Sequence, residues 1–109
     1  MSTLSMTKKK DPTDGTHEAQ VTDVVIKKGS NKQDYAIVFF EMEDGTEYSD
    51  VIFSNFSGKD VFASKAYDFL GGEGYESDID LDDLFNQSCT VTLEQKGKYQ
   101  KITDIEFHL

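Results

Sequence analysis

The sequence predicts an all-β fold with one helix, five strands ordered β-β-β-α-β-β within one domain. Three observations lead there. Runs rich in β-branched and aromatic residues are separated by polar turns, among them an Asp44-Gly45 step suited to a hairpin because glycine tolerates positive φ. Helical spacing is confined to Phe62, Ala66, Phe69 and Leu70, and Gly71-Gly72 follows as a stop. Finally, Cys89 to Leu93 alternates, with Cys89, Val91 and Leu93 on one side and Thr90 and Thr92 on the other. At 109 residues there is room for a single core, and 37% apolar residues, including eight Phe and five Tyr, suffice to fill it.

Residues 1 to 16 hold the only proline, Pro12, and the cluster Lys8-Lys9-Lys10, with no hydrophobic period. They predict a flexible lysine-containing N-terminal segment ahead of a domain spanning residues 17 to 109. Ala19 to Ile26 is the first strand, ending at the polar stretch Lys27 to Lys32. Tyr35 to Met42 begins apolar on both faces, as expected of a central strand. Across the hairpin, Tyr48 to Phe53 runs antiparallel to it. Ser57-Gly58-Lys59-Asp60 reads as a capping box with Ser57 as the cap, opening a helix of about three turns. A short helical turn is expected at Leu81 to Phe85, then the strand Cys89 to Leu93, a turn at Gln95 to Lys98, and a last strand from Tyr99 to Phe107.

Three strands, a helix, then two strands is the order of the oligonucleotide/oligosaccharide-binding (OB) fold, a five-stranded Greek-key barrel. Its competitor is a small α+β meander with the helix across an open sheet.

No enzyme constellation emerges, and no cofactor or metal is expected. His17 and His108 lie in terminal strands without a second ligand at metal spacing, and Cys89 sits on an inward row. Gly58-Lys59 fails as a phosphate loop, because Phe53 stands at the upstream glycine position and Asp60 replaces Ser/Thr. Asp78 to Asp83 fails as a calcium loop, because Asp83 occupies its glycine position and Cys89 its glutamate position. Those aspartates read instead as caps, with Ile79 and Leu81 anchoring the turn. The longest apolar run, Tyr35 to Phe40, is far short of a membrane span, and no secretory leader is visible, so the expected compartment is the cytoplasm.

Charge placement carries the functional reading. All 11 basic residues are lysine against 21 acids, a net charge of −10, which argues against the bidentate arginine readout of duplex DNA. Local surfaces decide what a phosphate chain meets. In an OB barrel, the face of strands two and three and the one–two and four–five loops form the oligonucleotide groove. Lys27, Lys28 and Lys32 occupy the first of those loops and Lys96, Lys98 and Lys101 surround the second. Tyr35, Tyr48 and Tyr99 are the candidate stacking platforms, joined by Phe39 or Phe53 if its side of the strand faces outward.

The run from Ala66 to Ile105 (AYDFLGG, an acidic spacer, then DLDDLFNQSCTVTLEQKGKYQKITDI) resembles the C-terminal half of small OB-fold proteins encoded in bacteriophage replication and recombination modules. In that family a helix ending in glycine leads to a short turn element and a hairpin closing on a Tyr-x-x-Ile strand; the family glycines before strand four are Asn86-Gln87-Ser88 here. Many such proteins bind single-stranded DNA. The resemblance implies a bacterial host cytoplasm and non-catalytic binding with little sequence preference.

A rival class remains open. Glu41, Glu43, Asp44, Glu47 and Asp50, with Asp78, Asp80, Asp82 and Asp83, form long stretches without a base. Such carboxylates could imitate a nucleic-acid backbone and engage a basic host or phage protein, as anti-CRISPR and anti-restriction inhibitors do. Edge strands also offer pairing between subunits, so a homo-oligomer is open too.

Overall fold

A computed structural model describes residues 2–29 and 33–109. The chain is mostly β with one helix: β1 (Gly15–Lys27), β2 (Tyr35–Met42), β3 (Glu47–Phe53), α1 (Val61–Phe69), a 3-10 turn at Leu81–Leu84, β4 (Ser88–Lys96) and β5 (Tyr99–Phe107). The five strands form one antiparallel sheet in the order β3-β2-β1-β4-β5. Among the described residues no helix is long and apolar enough to cross a membrane.

β1 joins the two halves of the sheet. It pairs with β4 over Gly15–Gln20 and with β2 over Ala19–Lys27, so only Ala19 and Gln20 have partners on both sides. A bulge between Val21 and Asp23 reverses the strand's alternation and adds local twist. Beyond the end of β4, Val21 N–H donates to the Gln87 carbonyl and Asn86 N–H to the Val21 carbonyl, both at 2.9 Å. The backbone groups that the departing β4 leaves bare are thus satisfied.

The inward rows fill the core expected of them. Val38, Phe40, Cys89, Val91, Leu93, Ile102 and Ile105 are all buried, with Phe62, Ala63 and Ala66 of α1 and Leu84 of the 3-10 turn against them. The Phe40 and Phe62 rings lie 5.6 Å apart, and Phe69 stacks on Phe107 at 4.7 Å. Each large side chain so buried contributes about 1.5–3 kcal/mol.

Three expectations are corrected. The first strand begins at Gly15, ahead of Ala19, because inward His17 pairs with Val91 in β4 and extends the ladder. The helix is capped by Asp60, whose side chain accepts from Ala63 N–H at 3.2 Å. Ser57 closes the preceding turn instead, its carbonyl accepting from Asp60 N–H at 2.9 Å. Gly71, at φ +89°, ends the helix as expected, and Gly72 N–H returns to the Tyr67 carbonyl at 2.8 Å.

The third correction concerns closure. Among the described residues β3 and β5 form no ladder, so the sheet is open and a fully paired barrel is not formed. It is not a meander either, since β4 joins β1 rather than β3. Side chains bridge the two edges: the Tyr48 hydroxyl lies 3.2 Å from the Gln100 carbonyl as its donor. The Gln100 amide turns away to the Pro12 carbonyl (2.6 Å) and Asp14 Oδ1 (3.1 Å). Asp11 and Pro12 line the cleft that separates β3 from the β4–β5 turn.

Candidate functional site

Residues directly opposite in an antiparallel pair share a face. The register therefore gives three outward rows across β1, β2 and β3: Lys27–Tyr35–Phe53, Val25–Ile37–Val51 and Asp23–Phe39–Ser49. A fourth, Gln20–Glu41–Glu47, closes the face with two carboxylates side by side. The alternating residues of β2, Ala36, Val38, Phe40 and Met42, are buried on the other side.

The outer face is aromatic where an exposed sheet face is ordinarily polar. Phe39 and Phe53 are 37% and 45% exposed, and Tyr35 packs beside Phe53 with ring centroids 6.0 Å apart. Ile37, Val25 and Val51 fill the space between. Two strand spacings make the patch about 10 Å wide, and Tyr35 to Phe39 makes it about 13 Å long.

Of the sequence-predicted lysines, Lys27 stands at one corner of this face beside Tyr35. Lys28 is ion-paired with Asp34 at 3.0 Å, and Lys32 lies outside the described residues. Lys98 and Tyr99 line the cleft facing Glu47–Val51 of β3, and Tyr99 is 77% exposed. Lys96 pairs with Glu94 at 3.3 Å, and Lys101 is exposed on β5. The two basic turns do not adjoin. One borders the Tyr35–Phe53 end of the face, and the other lies beyond its β3 edge.

Tyr48 is not on the surface that Tyr35 shares with Phe39 and Phe53. It sits on the inward face of β3, half-buried, its ring 6.4 Å from Phe40. Its hydroxyl is shared between the Gln100 carbonyl and Asp50 Oδ2, at 3.2 and 3.3 Å. Burial, then the Asp50 charge, raises the Tyr48 hydroxyl well above the usual tyrosine range. Asp50 is itself half-buried, and desolvation raises its carboxyl despite hydrogen bonds from Val51 N–H and Tyr48.

The acids of the rival surface do not form one patch: Glu41 and Glu47 share the outer row, Asp50 lies inward beside Tyr48, and the rest divide between the β2–β3 hairpin and the 3-10 turn. The Glu43 carboxylate pairs with His17 Nδ1 at 3.2 Å, while the Asp44 carboxylate accepts from the Thr46 hydroxyl and N–H. That hydroxyl, then the N–H, lowers the Asp44 carboxyl. Asp80 caps the 3-10 turn by accepting from Asp82 N–H at 3.0 Å, Asp82 and Asp83 fill its first turn, and Asp78 is exposed. The hairpin group lies past Met42 at one end of β2. Leu81, in the other group, lines a pocket with Tyr35 and Ala36 at the opposite end.

Two features of the site escaped the residue patterns. Ile37, Val25 and Val51 join the outer face, and their only signal was the two-sided apolarity of Tyr35 to Phe40, which also fits a strand covered on both sides. The anchoring of Pro12 and Asp14 on Gln100 had no periodic signal at all. Comparison of the chain with protein-family models and with curated proteins finds no match.

Proposed function

We propose that the chain is an OB-fold single-stranded DNA-binding protein of the phage replication and recombination type, non-catalytic and tolerant of sequence. The observation that carries this is the aromatic outer face of β2 and β3, flanked by lysine turns on two sides. Further support for the OB assignment comes from a helix between β3 and β4 and from a first strand shared by both halves of the sheet, in a fold described as a partly open barrel.

In this reading the strand crosses β1, β2 and β3 and continues over the seam to the β4–β5 turn. Bases stack on Tyr35, Phe39 and Phe53, and on Tyr99 across the cleft, while Lys27, Lys28, Lys96, Lys98 and Lys101 meet phosphates. Base–aromatic stacking contributes about 1–3 kcal/mol per base, so four platforms supply about 4–12 kcal/mol. A micromolar complex needs about 8 kcal/mol. The net charge of −10 opposes approach at low ionic strength. At physiological salt, however, charges more than about 8 Å from the path are largely screened.

The test is fluorescence anisotropy with labelled oligo-dT across a salt series. Binding is expected, weakening with salt, and duplex DNA of equal length should compete poorly. Changing the five named lysines to glutamine should flatten the log K against log salt slope by about 3.5. Full affinity and slope retained in that variant would remove the proposal. No binding by the native protein would do the same and return attention to the acidic groups.

A further inference from the structure

We propose that the N-terminal lysines form part of the strand-binding site: Pro12 and Asp14, anchored on Gln100, hold Lys8–Lys10 against the acidic edge of the aromatic face and make that edge passable to a polyanion. This deepens the single-stranded DNA reading and rests on it.

The anchor does not depend on the lysines. Pro12 is buried although its neighbours are exposed, and its carbonyl accepts from the Gln100 amide at 2.6 Å. Asp14 takes the same amide through Oδ1 at 3.1 Å and the Gln95 N–H through Oδ2 at 3.2 Å. The Thr13 carbonyl meets His17 Nε2 at 2.7 Å. Three successive residues thus fasten the chain to β1 and to the base of the β4–β5 turn. What precedes them is delivered to the cleft whatever its own interactions are.

Lys9 then reaches Glu47 at 3.0 Å. Glu47 is the outward partner of Glu41, and like charges directly opposite on a sheet repel. This pair borders the Phe39 row, where a phosphate chain leaving the aromatics toward Lys98 would meet it. An exposed ion pair is worth little as stabilisation. Its significance here is its place, because Lys9 offsets the carboxylate nearest that path. Lys8 and Lys10, exposed on either side of it, have no ion-pair partner among the described residues and remain available for phosphate.

The experiment compares four proteins by anisotropy with oligo-dT: the full chain, K8Q/K10Q, a deletion of residues 2–10, and that deletion carrying E47Q. Circular dichroism checks that each is folded; all keep Pro12 and Asp14. Two phosphate contacts on a single strand correspond to a slope of about 1.4 in log K against log salt. The full chain should therefore lose about sevenfold more affinity than K8Q/K10Q over a fourfold rise in salt. The deletion should bind more weakly still, because Glu47 is then bare, and E47Q should recover that extra loss without restoring the slope. A deletion that binds as well as the full chain, or better, overturns the proposal and makes the segment a bystander or a competitor for the cleft. A full chain that leaves oligo-dT unbound overturns the DNA reading first and this proposal with it, so the two failures are distinct.

Discussion

Phe53→Ala separates stacking from folding. Phe53 is 45% exposed, and among the described residues its ring pairs with Tyr35, at 6.0 Å and tilted by 50°. Aromatic pairs contribute about 0.5–1.5 kcal/mol beyond area burial. With nearly half the residue in water, the folded state should lose no more than about 1–2 kcal/mol, a small shift of the urea midpoint. Binding should suffer more. Removing one stacked base costs about 1–3 kcal/mol, or roughly 5- to 150-fold in affinity for oligo-dT. The slope against salt should stay that of the native protein, since no phosphate contact is removed. Tyr48→Phe supplies the contrast: it keeps the inward ring, loses only the link to Gln100 and Asp50, and should bind as the native protein does. Phe53→Ala binding within twofold of native, or Tyr48→Phe losing more than Phe53→Ala, would refute the assignment of the outer face.

The remaining predictions concern the folded state. His17 is raised above its ordinary 6.5 by the Thr13 carbonyl, then by Glu43, with burial opposing. Its protonation therefore stabilises the fold fully below about pH 6.5, and the contribution fades as pH rises through the raised value. The urea midpoint of the native protein should fall between pH 6 and 8 relative to that of His17→Gln, and parallel profiles would refute this. Leu84→Ala should destabilise by about 2–5 kcal/mol in urea titrations, because this fully buried side chain pins the acidic 78–83 segment to the core. A loss under about 1 kcal/mol would mean that the segment is held by its caps alone. The Cys89 thiol is pushed up to about 12 by burial and then by Glu18, so a thiol reagent at pH 8 should label the native protein only as it unfolds. Labelling at the rate of a small free thiol would contradict the buried inward row.

The elements were legible wherever side-chain alternation matched burial. β2 and β5 begin and end where their patterns do, and Cys89, Val91 and Leu93 point inward as their spacing requires. β1 was harder. Its first residues, Gly15 to Glu18, present polar side chains outward and a histidine inward, so the strand carries no apolar mark there although the ladder to β4 is continuous. The cap was misplaced by three residues because Ser57 and Asp60 are both good caps, and the turn between them decides which one meets Ala63. Of the site, the prominence of Tyr35 and Tyr99 could be read from their strands and turns. The inward turn of Tyr48 follows from its place opposite Phe40, a register that the hairpin length sets and that single-strand patterns leave open. Closure of the sheet was beyond reach for a related reason: whether two edges pair depends on what stands between them, and that is Tyr48, Asp50 and a distant Pro12.

Because the two ladders meet only at Ala19 and Gln20, the molecule is built like an open book with β1 as its spine. One leaf carries β2 and β3, the other β4 and β5, and their outer margins are joined by the Tyr48 hydroxyl, which donates to the Gln100 backbone carbonyl, rather than by a ladder. A change in the angle between the leaves would break no ladder bond between β3 and β5, and is opposed by that hydrogen bond and by the core residues of α1 and Leu84 packed between the leaves. The core shared by both leaves, rather than backbone pairing at their margins, therefore holds them at their angle.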